Sequence, residues 1–564
     1  MIDLRAKPFY LDDEAIAWVN ATRDGMTERE KVAQLFCLCA RQPTEESVGE
    51  MLDVLPFGGI MYRPFTTEEA VNFTAVLKKH LKVPPLIAAN LEKGGNGIVG
   101  EGTLMGSPMA VAATLDPESG ARLGRLCGRE GKAVGANWAF APIIDIDYNC
   151  FNPITNTRTF GSDPKLVAAL GKAYVEAVQG EGVAASIKHF PGDGVDDRDQ
   201  HLLTSVNTLS AEEWDRTYGM VWRACIEAGA MTAMIGHIMQ PAWTRKLNPA
   251  IADEDILPAS LSPEMMQGLL RGHLQFNGLI VTDATTMAGM TIPMPRAQAV
   301  PQAIAAGADM FLFARNLEED FEYMLAGVQD GRITGERLEE AVTRILAVKA
   351  ALHLHREWKL PALDEARRVV GCQEHRQWAR ENADRSVTLV KAQEGVLPIS
   401  PQKYPRILYY PIEAQQGIAY SAKQGVCDHL RRMLEEEGFQ VTTFQPEPLF
   451  EGKVKRESDY IGSFDLAIYA INLVTKSNQT TVRIEWQQPM GANCPHYSAG
   501  IPTIAISVEN PYHLVDIPRV KTFINAYCSN DEALEALVDK LVGRSQFKGT
   551  SPVDPFCGRW DTRL

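Results

Sequence analysis

The stretch from Ser186 to Leu202, SIKHFPGDGVDDRDQHL, gathers Lys188, His189 and His201 with four aspartates, Asp193, Asp196, Asp197 and Asp199. Imidazole beside carboxylate is equipment for binding a metal or for moving a proton near neutral pH. The metal reading fails on spacing. An EF-hand loop needs alternating acidic ligands, a central glycine and a closing glutamate, and DGVDDRDQHLLT does not supply that order. No HExxH and no paired cysteine spacing points to zinc. No metal site is therefore expected. A solvated acidic loop with His201 exposed is the plain alternative. Against it, the Pro-Gly turn directly follows an apolar run that carries Lys188 and His189. In Asp199-Gln200-His201, a tight turn lets the carboxylate hold one ring nitrogen and aim the other at a substrate.

A second reactive carboxylate stands in GLIVTDATTMAGM, residues 278–290, where Asp283 follows an apolar run. Its simplest role is an N-cap for a following helix. A carboxylate at one strand end and an Asp-supported His at another are, however, also the nucleophile and proton donor of a retaining glycosidase.

The elements that must position these groups are legible as eight short apolar runs bounded by turn residues. They are QLFCLC (34–39), GGIMY (58–62), PLIAAN (85–90), WAFAP (138–142), ASIKHF (185–190), TAMIGH (232–237), LIVTDA (279–284) and MFLFA (310–314). Helical patterns such as TTEEAVNFTAVLKKHL and PESGARLGRLCGREGKAVG lie between them. Near-continuous apolar strands alternating with helices predict a TIM-type (β/α)8 barrel, with a doubly wound open sheet as the alternative. In a barrel the chemistry sits past the C-terminal strand ends, and Asn90, His189, His237 and Asp283 close or follow runs three, five, six and seven.

Two amphipathic helices separated by DGRITG are expected to close the barrel domain, residues 1–355. A polar connector and a helix through about residue 392 form a linking stretch, 356–392. Beyond it, RILYYPI, QVTTF, LAIYAINLV and TIAISV alternate with helices, so residues 393–564 are expected to form a smaller α/β/α sandwich.

Composition narrows the partners. A chain of 564 residues, 45% hydrophobic and 23% charged, can bury a large core. A formal net charge of -15 argues against nucleic acid and anionic membranes, both of which need a positive field. The N-terminus lacks the basic start and apolar core of an export signal, and no run is long enough to span a bilayer. Ten cysteines without CxxC spacing read as buried free thiols. These features together predict a cytoplasmic protein. GGNG in residues 94–97 lacks the GK[ST] ending of a phosphate loop, and no cofactor is expected.

KHFPGDGVDDRDQH resembles the KHFPGHG…DSH segment of glycoside hydrolase family three β-N-acetylglucosaminidases, and GLIVTDATTM resembles their GLIVTDDxxM nucleophile segment. FAPIIDIDYN, NPITNTRTFGSDP and PASLSPEMMQGLLRGHLQFNG extend the likeness over most of residues 20–350, and RSVTLVKAQEGVLPIS resembles the entry to that family's C-terminal domain. The resemblance implies a retaining enzyme acting on a terminal β-linked N-acetylglucosamine. Asp283 would be the nucleophile, His201 the acid/base and Asp199 its partner. Arg158, Lys188, His189 and His237 would face the sugar, and so would Asn90.

Three positions depart from the family pattern. Asp193 stands in place of a His, Gln200 in place of a Ser, and Asn90 in place of the carboxylate that opens D-x-E-G-G, here NLEKGGNG with an additional Lys93. An amide at residue 90 still hydrogen-bonds a hydroxyl but loses charge assistance. A histidine acid also changes the second step. A spent imidazole is neutral where a spent carboxylic acid is anionic, so inorganic phosphate is expected to compete with water as acceptor. Two other readings stand beside this one, a β-glucosidase of the same family and a catalytically retired sugar-binding barrel.

Overall fold

The computed structural model describes residues 2–414, 425–445, 455–475, 477–486, 494 and 496–564. By compactness the chain divides into one unit of Met1–Met105, Pro117–Asn149 and Asp163–Arg376, and another of Gly106–Asp116, Cys150–Ser162 and Gln377–Leu564. The division at 376 falls inside the expected linking stretch. Two segments inside the expected barrel range, 106–116 and 150–162, group with the second unit.

The first unit is built on eight parallel strands: β1 (Phe36–Cys39), β2 (Gly59–Met61), β3 (Leu86–Ala89), β4 (Trp138–Ala139), β5 (Ala184–Phe190), β6 (Thr232–Ile235), β7 (Leu279–Thr282) and β8 (Phe311–Leu312). They run in the order β8-β1-β2-β3-β4-β5-β6-β7. A parallel bridge from Val281 to Met310 brings β7 to the start of β8, and the ring closes as a barrel. The helices between strands follow local rules. Thr66 and Glu69 form a reciprocal capping box at the start of the helix Thr67–His80, satisfying N–H groups that the helix leaves unpaired. The helices Leu317–Gln329 and Gly335–Ala351 flank the DGRITG turn as their periodicity predicts.

Strand β5 carries the most site chemistry, and all of its residues are buried. Its register against β6 pairs Ser186 with Thr232 and Ile187 with Ala233, then resumes only at Phe190 with Ile235. Lys188 and His189 occupy this bulge, the kind of irregularity that re-aims side chains beside active sites. The loop that follows is tied down where it ends. Ser205–Val206 pairs in parallel with Ile238–Met239, the stretch just after β6.

The second unit holds a six-stranded mixed sheet of β9 (Thr388–Lys391), β10 (Arg406–Glu413), β11 (Gln440–Thr443), β12 (Leu466–Asn472), β13 (Thr503–Ser507) and β14 (Thr522–Asn525), ordered β9-β14-β13-β12-β10-β11. Strand alternation builds two cores. Ile407, Tyr409, Ile468, Ile504 and Ile524 pack on one face, and Leu408, Tyr410, Tyr469, Ala505 and Phe523 on the other. An α/β layered domain results. The helix expected to run to about residue 392 instead ends at Ser386. The β-branched run that begins at Val387 favours extended backbone, and Thr388–Lys391 becomes the antiparallel edge strand β9.

Candidate active site

Asp283 follows β7 directly, and its N–H donates to the Ile235 carbonyl at the end of β6, 2.8 Å away. Its Oδ1 accepts from the Ala284 N–H at 2.7 Å. The next helix begins only at Ala288, so Asp283 is not the N-cap of a helix. Burial pushes its carboxyl up, but His189, His237 and His201, with the Ala284 N–H, hold it below the ordinary carboxylate value. An ionised carboxylate in a largely closed site is suited to nucleophilic attack.

His189 Nε2 lies 3.9 Å from Asp283 Oδ2. Its other nitrogen, Nδ1, is 2.7 Å from Asp145 Oδ2, and its backbone N–H donates to Asp145 Oδ1 at 3.1 Å. Beside it in the bulge, Lys188 Nζ donates to Glu92 Oε1 at 2.7 Å, and both side chains are nearly inaccessible. Lys188 thus belongs to a buried pair and not to the surface.

The Asp-x-His turn forms as read. His201 Nδ1 is 2.7 Å from Asp199 Oδ1, and the same oxygen accepts the His201 N–H at 2.8 Å. The Asp199 carboxylate is fully buried while the His201 ring is 26% exposed, so one ring edge is held and the other is open. Asp199 anchors the turn further by accepting, through its carbonyl, from Leu202 and Leu203 N–H. The remaining aspartates shape the loop. Asp196 accepts from the Val206 N–H at 2.8 Å and pairs with Arg198, while Asp197 is exposed.

His237 is held from two sides. It is wholly buried, with Nδ1 2.7 Å from Ser260 Oγ and Nε2 3.1 Å from the Ala284 carbonyl. A carbonyl only accepts, so Nε2 carries the hydrogen. Burial lowers the pKa of this ring despite Asp283. With both nitrogens engaged, His237 braces the backbone beside Asp283. Its apolar strand TAMIGH hid the two partners, which come from distant segments. Asn90 lies exposed just past β3. Arg158 ends the turn Asn156–Arg158 in the second unit and is half-buried there.

Sequence reasoning missed Glu92, Asp145, Ser260 and the buried side chain of Gln200. Signals existed for two of them. Glu92 follows the β3 end by three residues, and Asp145 closes the apolar run FAPII. Among the described residues, no group of three or more His, Cys, Asp or Glu is arranged to hold a metal ion, and no helix is long and apolar enough to cross a membrane.

A barrel presenting a carboxylate and an Asp-supported imidazole at its C-terminal strand ends defines a class of glycoside-cleaving enzyme. Residues 27–348 match the Glycosyl hydrolase family 3 N terminal domain, and the chain belongs to that family as a glycoside hydrolase. It is 53% identical, over the full length of both chains, to a β-N-acetylglucosaminidase/β-glucosidase of Cellulomonas fimi. Among solved structures it is similar to the β-glucoside phosphorylase BglX, with 47% identity, TM-score 0.93 and 99% of each chain covered. It is also similar to a family 3 β-N-acetylglucosaminidase from Paenibacillus sp. str. FPU-7, with 26% identity, TM-score 0.77, and 94% of this chain and 99% of that one covered.

Proposed function

We propose that this enzyme is a retaining, exo-acting β-N-acetylglucosaminidase. Asp283 attacks the anomeric carbon while protonated His201 donates to the departing oxygen, giving a covalent glycosyl-enzyme. His201, then neutral, takes a proton from the incoming acceptor, and Asp199 holds the imidazole throughout. Asn90, Lys188 and His189 are proposed to bind the sugar's hydroxyls. The observation that carries this reading is the Asp199–His201 hydrogen bond of 2.7 Å on the loop after β5, with the His201 carbonyl accepting from the Ala288 N–H, five residues past Asp283, at 3.0 Å.

Phosphate is proposed as an acceptor beside water. A neutral imidazole does not repel it as a spent carboxylate would, and a neighbour 47% identical is named a β-glucoside phosphorylase. The same neighbour, with the dual name of the Cellulomonas fimi relative, supports a second reading in which β-glucosides are also cleaved. Turnover of 4-nitrophenyl β-N-acetylglucosaminide and β-glucoside is compared with and without phosphate, and products are identified. Phosphate-dependent formation of a sugar 1-phosphate supports the transfer, and unchanged hydrolysis counts against it. The preferred aryl glycoside decides the sugar. Cytoplasmic residence is proposed on the cysteine usage and is checked by cell fractionation.

A further inference from the structure

Two of the three departures from the family pattern touch each other. Gln200 is wholly buried and Asp193 nearly so. The Gln200 amide bridges two strand ends: its Oε1 accepts the backbone N–H of His237 at 2.8 Å, and its Nε2 donates to Asp193 Oδ2 at 3.3 Å. Because Oε1 must face an N–H, Nε2 must face an acceptor, and a carboxylate at residue 193 offers nothing but acceptors.

Asp193 is itself fixed on three sides. Its N–H donates to Asp145 Oδ1 at 2.8 Å, the oxygen that also receives the His189 N–H. Its Oδ1 accepts from Gly194 at 2.7 Å, and its carbonyl accepts from the Tyr218 hydroxyl at 2.6 Å. Gln200 sits between Asp199 and His201 in the chain. Its carbonyl and that of His201 accept from Gly289 and Ala288, at 3.2 and 3.0 Å, in the segment that follows Asp283. The Asp199–His201 contact is local to its turn and survives a displacement of the turn. Beside these backbone bonds, the Gln200 side chain ties the turn to the residues that follow β5 and β6.

We propose that Asp193 and Gln200 form a latch that positions the His201 dyad over Asp283, a pair of positioning residues for proton transfer. The proposal rests on His201 being the acid/base. An opened latch leaves the nucleophile and sugar contacts in place and weakens protonation of the leaving group. Aryl glycosides whose phenol departs without help, such as 2,4-dinitrophenyl, are then nearly unaffected, and phenyl glycosides are not.

The test exchanges the two groups. Gln200→Glu sets two carboxylates against each other, and Asp193→Asn sets two N–H donors against each other. The double variant D193N/Q200E restores one donor and one acceptor, with the new amide at 193 donating to the new carboxylate at 200. Each single variant is expected to lose about tenfold or more in kcat/KM on the phenyl glycoside, a part of the roughly 10²–10⁴-fold that general acid catalysis contributes. Loss on the dinitrophenyl glycoside is expected to stay below about threefold, which also reports a folded enzyme. The double variant is expected to recover to within about threefold of the parent on both substrates. Equal losses on both substrates, or a double variant no better than the singles, overturn the latch. His201→Ala is measured alongside. If it discriminates between the substrates and the latch variants do not, only the latch fails. If it does not discriminate, the acid/base assignment fails first.

Discussion

His189 Nε2 lies 3.9 Å from Asp283 Oδ2, and His189 is the largest influence lowering the Asp283 carboxyl against its burial. Asp145, at 2.7 Å from Nδ1, holds the ring in that position. Asp283 has to be ionised to attack, so activity is lost as pH falls through its pKa, which lies below the ordinary carboxylate value of about 3.9. Replacing His189 by Gln removes a lowering influence and raises that pKa. The acid limb of kcat/KM, read with a dinitrophenyl glycoside, is expected to move to higher pH. An unmoved limb refutes the assignment of His189 as the group that keeps the nucleophile charged.

Asp199 Oδ1 receives both the ring and the backbone N–H of His201. Asp199→Ala frees the imidazole to rotate and removes the charge that favours its protonated form. Loss of about 10²-fold in kcat/KM on poor leaving groups is expected, the lower part of the range for general acid–base catalysis. External azide should then speed the second step by replacing the base-activated acceptor and yield a glycosyl azide. Chromatography of the products checks this, and no azide adduct would speak against the dyad.

The barrel was readable because buried parallel strands are apolar throughout and end in polar residues, so all eight runs fall on the strands found. Asp199 and His201 were readable because their contact is local in sequence. Residues whose partners are remote were not. Nothing near His237 in the chain announces Ser260 or the Ala284 carbonyl, and Glu92 meets Lys188 only once β3 and β5 are curled into one ring. The N-cap alternative for Asp283 fell for a related reason. Cap propensity is a local preference, and the backbone after β7 is instead directed by its neighbours β6 and β8, with Thr285 N–H donating to the Leu312 carbonyl at 2.9 Å.

Glu92 and Lys188 form a pair with side chains 10% and 4% exposed. Glu92→Leu leaves a buried ammonium without its counter-charge, a defect that costs about 3–5 kcal/mol, and its melting temperature should fall. Glu92→Gln keeps a hydrogen-bond acceptor, so this variant should fold. It no longer neutralises Lys188, so stability falls here too, by less than in Glu92→Leu, and if Lys188 binds a sugar hydroxyl, KM changes by about tenfold in a protein that is still folded. A wild-type KM in Glu92→Gln would reduce the pair to a purely structural one.

Asp309, at the entry to β8, is the fully buried hub of a second charge network. Arg271 Nη2 approaches its Oδ2 at 2.8 Å, Arg344 Nη1 its Oδ1 at 3.5 Å, and Arg337 pairs with the same Oδ1. The Ile280 N–H in β7 donates to Oδ2 at 2.8 Å, so the carboxylate fastens β7 to the segment opening β8. Burial raises its pKa, but Arg344, Arg271 and Arg337 bring it below the ordinary value. A carboxylate with a depressed folded pKa stabilises the fold above its unfolded value of about 3.9, and the contribution is lost as pH falls through the folded value. Asp309→Asn takes its counter-ion from the buried Arg271 guanidinium, while Arg337 and Arg344 keep Glu340, and a loss of about 3–5 kcal/mol is expected at neutral pH. Denaturant titrations of parent and variant from neutral pH to about pH 3 should show the gap narrowing on acidification. A gap that stays constant across that range would mean that Asp309 acts through shape and hydrogen bonding and not through its charge.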